Sequence, residues 1–378
     1  MMDKKRIVVK VGTSSLTYDN GRLKLGQIEK LVREVADLVN SGIEVAIVSS
    51  GAVGAGLGPM GLTHRPKRIE EKQAAAAVGQ GILMQTYSRL FAEYSHVCGQ
   101  VLITAEDLEQ RNRYLNSRNT LEVLLQNGII PIINENDSVS FDEIAVGDND
   151  TLSALVATLI SADLLIILSD IDGVYTEDPR HNSKAQLIPI IEEITPEIEA
   201  MAGGKGTLGT GGMATKFQAA QIATNAGIPV VITNGAKDFA ITQTVNGESI
   251  GTKFLAKPVK LPSRKRWLAS ISHPRGQIII DRGAEEALYN GKSLLPIGVV
   301  SYSGEFQSGD LVQIINSETV EIAKGLCNYS NNELDRIMGK CSEEIERLEG
   351  TFSFQEVVHR NNLVITKVVS RKGRAEWK

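Results

Sequence analysis

The stretch EVAIVSSGAVGAG, at residues 44–56, indicates the class of fold. Residues 45–48 form a short apolar run rich in β-branched side chains, which predicts a buried strand. Ser49 to Gly56 is rich in glycine and alanine and leads into a predicted helix. Backbone N–H groups at such a helix start bind anions, so this loop is suited to a carboxylate or a phosphate.

The same alternation of apolar runs and amphipathic stretches continues through the first two thirds of the chain. It predicts an α/β fold with an open, mainly parallel sheet sandwiched by helices. Ligands bind such sheets at the carboxyl ends of the strands. The predicted strands are residues 7–11, 45–48, 100–103, 129–133, 164–168 and 229–233, and the predicted helices include residues 27–40, 151–162 and 214–226.

The pattern changes after Lys257-Pro258, where short alternating segments separated by Gly- and Asp-containing turns replace the long helices. Strands at 277–280, 298–302, 311–315 and 320–323 predict a small β-barrel-like module. The predicted domain limits are 1–258 for the α/β domain, 259–270 for a linker, 271–356 for the β-rich domain and 357–378 for a polar, basic tail.

Composition narrows the class of protein further. The 378 residues are 42% hydrophobic with a net charge of −5, which argues against nucleic acid as the main partner. No apolar run is long enough to span a bilayer, and the N-terminus enters a strand-like run without a cleavable signal. Three widely spaced cysteines give neither a disulfide framework nor a zinc signature. We expect a cytoplasmic protein that does not associate with membranes.

Two lysines are candidates for phosphate binding. Lys10 lies within a valine-rich strand, two residues before Gly12, where its ammonium group can reach the ligand edge of the sheet. The alternative is an edge-strand lysine that faces water. Residues 203–216, GGKGTLGTGGMATK, contain six glycines and end in Lys216 at the start of a helix. Backbone amides of such a loop can approach phosphates, whereas the alternative is a flexible connection.

Polar residues follow two of the predicted strands and precede one of the predicted helices. Residues 134–137, NEND, come directly after a buried strand, and residues 147–151, GDNDT, lead into a helix. A turn or an N-cap explains one or two of these side chains, but not all of them. Ser169-Asp170 ends another strand. The acids can hold the lysines in place and ligate Mg²⁺ through water or phosphate.

Other chemistries have weaker support. Residues 56–61 and 209–214 match a loose dinucleotide-binding pattern, but neither has the strand, helix and acidic residue that this site needs. The sequence GxxxxGK[ST] is absent, and the five histidines form no metal motif. Lysines, acids and a glycine-rich loop without a nucleophile–histidine pair suit phosphoryl transfer, which depends on positioning and charge neutralisation.

In this order, the motifs resemble the amino acid kinase family, and within it the branch that phosphorylates glutamate. The similarity covers nearly the whole chain, because that branch often ends in a PUA-like domain, which SLLPIGV at 293–299 and GEFQSG at 304–309 resemble. The motifs that carry the resemblance are VVKVGTSSL at 8–16, SSGAVGAG at 49–56, INENDSV at 133–139, VGDNDTLSA at 146–154, SDIDGVYTEDPR at 169–180 and GTGGMATK at 209–216.

The resemblance implies a role for each matching residue. Lys10 and Lys216 would stabilise the transferring phosphoryl group, with Asp150 orienting both, and Ser50, Asp137 and Asn149 would bind glutamate. Ser169 stands where threonine is expected, which keeps the hydroxyl group. The implied ATP-binding residues are Lys10, Ser169, Asp170, Thr210, Gly211, Gly212, Met213, Ala214, Thr215 and Lys216.

The resemblance also implies an activity and partners. The activity is ATP-dependent phosphorylation of the L-glutamate γ-carboxylate, the first step of proline biosynthesis, with Mg²⁺. Proline would be a feedback inhibitor, glutamate-5-semialdehyde dehydrogenase a transient partner that accepts the product, and the protein a homo-oligomer.

Three alternatives stay open on sequence alone. Acetylglutamate kinase, aspartokinase, uridylate kinase and carbamate kinase share the phosphate-binding lysines. An RNA-binding role would follow from the PUA-like module, but residues 264–378 hold 16 Lys and Arg against 15 Asp and Glu, which leaves little basic surface. A catalytically inactive scaffold is disfavoured because both lysines and the acids are present.

Overall fold

A computed structural model gives the fold of the protein and divides it into two compact units, Met1–Lys260 and Leu261–Lys378. Each unit is described by itself. The structure describes residues 5–18, 20–62, 64–104, 107–108, 111–139, 149–177, 179, 182, 184–195, 197–198, 212–257, 274–341, 344–345 and 356–366.

The first unit contains an eight-stranded sheet in the order β3-β4-β2-β1-β5-β7-β8-β6. Neighbouring strands are parallel except β8, which runs antiparallel to β7, so the predicted mainly parallel sheet is confirmed. The two strands absent from the prediction, β6 and β8, are only two and three residues long. The strands are β1 (Arg6–Val11), β2 (Glu44–Ser49), β3 (Cys98–Ile103), β4 (Ile130–Glu135), β5 (Leu164–Ser169), β6 (Ile190–Ile191), β7 (Val230–Asn234) and β8 (Thr252–Phe254).

Helices cover the sheet of the first unit and include the three predicted ones. The helices are α1 (Thr13–Leu16), α2 (Leu25–Asn40), α3 (Ala52–Leu57), α4 (Ile69–Glu93), α5 (Arg111–Gln126), α6 (Asn149–Leu159), α7 (Met213–Asn225) and α8 (Ala240–Val245).

The helix α4 is 25 residues long and was not predicted. Its buried face includes small and polar side chains as well as apolar ones, so the helical hydrophobic pattern is weak there. The buried residues of α4 are Ala75, Ala76, Gly79, Gln80, Leu83, Thr86, Tyr87, Leu90 and Phe91.

Strand β1 lies at the centre of the sheet, between β2 and β5. Lys10 is in register with Val48 on one side and Ile167 on the other. The alternative of an edge-strand lysine is therefore wrong. Both neighbouring strands bury five or more of their six residues, so an ammonium group at this position needs a partner.

The second unit is built on a five-stranded sheet in the order β10-β9-β11-β12-β13, in which β9 and β11 are parallel and the other neighbours antiparallel. Its buried core includes Ile278, Phe306 and Leu363. The elements are β9 (Gly276–Ile280), α9 (Arg282–Tyr289), β10 (Val299–Gly304), β11 (Leu311–Asn316), β12 (Glu321–Leu326), α10 (Asn331–Ile337) and β13 (Leu363–Ile365).

Strand β13 falls within residues 357–378, the predicted tail. Val357, Val358 and Leu363 are buried, so the sheet extends to Ile365. Residues 258–273 lie outside the described residues, and the predicted limits at 258 and 270 stay predictions. Within the described parts of the chain, no helix is long and apolar enough to cross a membrane.

Candidate active site

A cavity of about 560 Å³ opens at the carboxyl ends of β1, β2, β4 and β5. Gly51, which follows β2, has a φ of 98°, a conformation that glycine adopts without strain, and α3 begins directly after it. Among the described residues, those that line the cavity are Lys10, Gly12, Thr13, Ser14, Thr17, Tyr18, Gly21, Ser50, Gly51, Ala52, Val53, Gly54, Leu57, Arg65, Asn134, Glu135, Asp137, Asn149, Leu168, Ser169, Asp170 and Lys216.

A buried cluster of two lysines and one aspartate lies at this cavity. Asp150, in the first turn of α6, is fully buried, and its Oδ1 lies 2.5 Å from Lys10 Nζ. Its Oδ2 lies 3.1 Å from Lys216 Nζ, which comes from α7. One carboxylate thus holds two ammonium groups from distant parts of the sequence, and the cluster carries one net positive charge. Such a cluster can attract a phosphate while its ammonium groups stay in fixed positions.

The predicted glycine-loop residues are placed in part. Thr215 Oγ1 donates a hydrogen bond of 2.9 Å to Asp150 Oδ2, so the first turn of α7 is tied to the same carboxylate. Gly212, Met213 and Ala214 lie at the start of this helix and are not among the described residues that line the cavity. Thr210 and Gly211 lie outside the described residues.

Ser169 and Asp170 line the cavity from the end of β5, and Ser169 Oγ donates a hydrogen bond of 3.2 Å to Asp170 Oδ1. Because β5 is adjacent to β1 in the sheet, these two side chains lie beside the strand that carries Lys10. The sequence predicted that Lys10, Ser169 and Asp170 lie at one edge of the sheet, and the structure brings these three residues together there.

The predicted glutamate-binding residues Ser50 and Asn149 are in direct contact. Asn149 Nδ2 donates to Ser50 Oγ at 2.9 Å and to Asn134 Oδ1 at 3.0 Å. Asn134 is buried at the end of β4 and was not predicted to bind substrate, although it opens the polar segment after that strand. These amides and hydroxyls form a polar wall of the cavity that can bind carboxylate and ammonium groups.

Asp137 lines the same cavity and has an altered acidity. The pKa of its carboxyl group is raised to about 6, mainly by burial and also by the nearby Glu135 carboxylate, while Arg65 acts in the opposite direction. A carboxylate with this pKa is ionised at neutral pH and gains from a bound cation. An ammonium group of the substrate would supply that cation.

Sequence reasoning missed several residues of the cavity. Thr13 and Ser14 follow β1 directly, within a motif that the sequence had already singled out. Arg65 comes from the segment between α3 and α4, where no local pattern indicates a binding site, so the sequence held no signal for it.

The profile of the Amino acid kinase family matches residues 5–234, and that of the PUA domain matches residues 276–348. The chain therefore belongs to the amino acid kinase family, as the sequence motifs predicted.

The curated relatives of the chain include the glutamate 5-kinase of Moorella thermoacetica, which is 52% identical over 363 residues, covering 96% of each chain. The glutamate 5-kinase of Thermoanaerobacter sp. (strain X514) is 51% identical over 362 residues, or 95% of this chain and 97% of that one. Among solved structures, carbamate kinase from Giardia lamblia bound to AMP-PNP is 19% identical with a TM-score of 0.50, covering 68% of this chain and all of that one. This last similarity concerns the fold alone.

Proposed function

We propose that the protein is an ATP-dependent kinase that phosphorylates the γ-carboxylate of L-glutamate and so makes L-glutamyl 5-phosphate for proline biosynthesis. The observation that carries this proposal is the pairing of Lys10 and Lys216 on Asp150 at a cavity whose other wall holds Ser50 and Asn149. One end of the cavity suits phosphates and the other suits a small amino acid.

The reaction forms a bond between a γ-carboxylate oxygen and the γ-phosphorus of ATP, and it breaks the bond from that phosphorus to the oxygen that leaves with ADP. A free glutamate side chain has a pKa of about 4.3, so the attacking oxygen is already ionised and needs no general base. This is consistent with the absence of histidine from the described lining of the cavity. Charge grows on the transferring phosphoryl group, and Lys10 and Lys216 neutralise it.

Most of the predicted site residues have a distinct role in this proposal. Asp150 keeps the two ammonium groups apart from each other and in place before ATP binds. Asp137 accepts from the α-ammonium group of glutamate, and Ser50 with the loop amides binds a carboxylate. Ser169, Asp170 and the first turn of α7 bind ATP, together with residues 210–211, which the sequence motif assigns to it.

Magnesium fits this cavity as an ion that enters with ATP. No group of three or more His, Cys, Asp or Glu side chains in the described part of the chain could hold a metal by itself. Asp170 lines the cavity, whereas both oxygens of Asp150 already face lysines. Mg²⁺ commonly binds one or two carboxylates together with phosphate oxygens and water, which suits Asp170. When bound, it neutralises phosphate charge.

The remaining parts of the proposal concern partners. The product is an acyl phosphate, which reacts readily with water, so we propose transfer to glutamate-5-semialdehyde dehydrogenase. Proline, an amino acid of similar size, would inhibit at the glutamate end of the cavity. We also propose a cytoplasmic homo-oligomer that does not depend on RNA.

The test is ADP release with ATP, Mg²⁺ and hydroxylamine, offering L-glutamate, N-acetylglutamate and L-aspartate separately. Hydroxamate from glutamate alone supports both the chemistry and the substrate. Turnover with another acid would keep the phosphoryl-transfer site but refute glutamate as the substrate, and no turnover with any of the three would refute the proposal.

A further inference from the structure

A buried glutamine lies behind the glutamate end of the cavity. Gln80, on α4, is 8% exposed, and its Oε1 accepts a hydrogen bond of 2.9 Å from Asn134 Nδ2. Burying an amide costs free energy unless it is hydrogen-bonded, so this contact offsets the part of that cost that belongs to the amide oxygen. Gln80 itself does not line the cavity described above.

The hydrogen bonds of this region have a defined direction. Asn134 Oδ1 accepts from the backbone N–H of Glu135 at 2.9 Å, and a backbone N–H can only donate. The amide oxygen of Asn134 is therefore on that side, and its NH₂ group points to Gln80. Asn149 Nδ2 lies 3.3 Å from the carbonyl oxygen of Ser49, which can only accept. These two backbone groups show which side of each asparagine amide is the oxygen and which is the NH₂ group, so Gln80 must present its oxygen to Asn134.

Ser50 connects this chain of hydrogen bonds to the cavity. Ser50 Oγ accepts from Asn149 Nδ2 at 2.9 Å. Its own hydroxyl hydrogen is therefore available to donate, and a carboxylate is the matching acceptor in the proposed substrate. If Asn134 rotated, Asn149 would lose the 3.0 Å acceptor and keep only the longer contact of 3.3 Å with Ser49 O, so its NH₂ group would be held less firmly against Ser50 Oγ.

The backbone around Gln80 is held closely to the loop that carries Ser50. A Cβ atom at Gly79 would lie 1.9 Å from the carbonyl oxygen of Ala52, so α4 contacts the start of α3 backbone to backbone. Gly56 makes the reciprocal contact with Ala75, also at 1.9 Å for an added Cβ. Two adjacent residues of α4 thus act on the same loop. Gly79 allows the short distance between α4 and α3, and Gln80 accepts the hydrogen bond that orients the Asn134 amide.

We propose that Gln80 is a positioning residue of the glutamate site, which acts through Asn134 and Asn149 to keep the Ser50 hydroxyl as a donor to the substrate carboxylate. This inference rests on the proposed function. It predicts that substitution of Gln80 weakens glutamate binding and leaves the lysine–aspartate cluster at the ATP end unaffected.

The chain offers closely matched variants for a test. Gln80 Nε2 is buried and, within the described part of the chain, has no hydrogen-bond partner. Gln80→Glu therefore keeps an oxygen acceptor and loses no hydrogen bond, and burial favours the neutral form of its carboxyl group, whereas Gln80→Met fills a similar volume without an acceptor. Gln80→Leu is made in parallel, so that a folding defect in one apolar variant does not leave the test without a result. Thr86→Val is the control on the same helix, because Thr86 is 9% exposed and, among the residues that the structure describes, its hydroxyl bonds only to Ile82 O.

The measurement is steady-state kinetics of the full chain in the hydroxamate assay, with thermal unfolding of each variant. We expect Gln80→Met and Gln80→Leu to raise KM for glutamate by about three- to tenfold, the equivalent of one hydrogen bond, with KM for ATP and kcat within about twofold. Gln80→Glu should restore most of the glutamate affinity, and Thr86→Val should change neither KM.

Each contrary result is distinct. An unchanged KM for glutamate in both apolar variants would overturn the proposal, and so would equal rises in both KM values, which indicate general destabilisation. Failure of Gln80→Glu to improve on Gln80→Met, with the two variants unfolding at the same temperature, would show that the acceptor is irrelevant. If the unsubstituted protein makes no glutamyl hydroxamate, the proposed function fails instead of this inference.

Discussion

Replacing Asp150 by asparagine tests the buried cluster most severely. In the folded protein Lys10 and Lys216 lie 2.5 and 3.1 Å from the two oxygens of this carboxylate, and all three side chains are at most 8% exposed. Asp150→Asn keeps the shape of the side chain and removes its charge. The cluster then goes from one net positive charge to two, with no anion between the ammonium groups.

The size of the effect follows from the burial. Removing one partner of a buried ion pair costs about 3–5 kcal/mol, because the remaining charge is left without a partner. The cavity lets water approach the lysines, so we expect the lower end, about 3 kcal/mol. For a domain of this size that corresponds to a fall in Tm of roughly 6–12 °C. We also expect kcat to fall by at least about a hundredfold, because the lysines lose their fixed positions.

Thermal unfolding with and without ATP is the assay. ATP should raise the Tm of Asp150→Asn by more than it raises that of the unsubstituted protein, since its phosphates replace the missing anion. The double variant Asp150→Asn/Lys216→Met restores a single positive charge and should be more stable than Asp150→Asn alone. An unchanged Tm in Asp150→Asn, or a double variant in which the two losses simply add, would refute the idea that the carboxylate holds both lysines against each other.

Three further predictions concern single side chains. Lys216→Met should lower kcat by about a hundredfold or more and leave KM for glutamate within about twofold in the hydroxamate assay, because the charge of Lys216 matters most in the transition state. A change confined to KM for glutamate would mean that Lys216 binds glutamate and not the transferring phosphoryl group. The carboxyl group of Asp137 has a pKa raised to about 6 and loses its charge as the pH falls through that value, so KM for glutamate should rise on acidification. Asp137→Asn should remove this pH dependence of KM. An identical pH profile in the variant would exclude Asp137 as the titrating group. Gly79→Ala should lower the free energy of unfolding by about 1–3 kcal/mol, because the new Cβ would lie 1.9 Å from Ala52 O. A Cβ at Gly81 has no other atom within 4 Å, so Gly81→Ala should stabilise the helix by about 0.5–1 kcal/mol. Denaturant unfolding of the two alanine variants separates these outcomes, and equal stabilities would contradict the close helix contact.

The sheet was predictable because its inner strands are buried on both faces. Strands such as β1 and β5 read as continuous apolar runs, and each ends in polar residues at the ligand edge. The short strands β6 and β8 have too few residues for a pattern to form. Helix α4 was not predicted for a different reason. Its close contact with α3 requires glycine and alanine at positions where a helical hydrophobic pattern would show larger apolar side chains.

The residues of the candidate site could be predicted where they directly follow a strand or stand at the beginning of a helix. Lys10, Asp150 and Lys216 each stand at such a position, and their side chains meet in the folded protein. Gln80 and Arg65 do not, because one lies in the middle of a helix and the other in a connecting segment. Their contributions depend on distances to residues far away in the sequence, which only the fold reveals.

The central claim is that a γ-carboxylate oxygen of glutamate attacks the phosphoryl group held by the two lysines. Glutamate labelled with ¹⁸O in both γ-carboxylate oxygens tests it directly, with hydroxylamine present to trap the product and mass spectrometry of the released phosphate. Because hydroxylamine attacks the acyl carbon and expels phosphate with the bridging oxygen, we predict one ¹⁸O atom in each phosphate. Release of unlabelled phosphate alongside ADP would mean that water and not glutamate accepts the phosphoryl group, and would contradict the account.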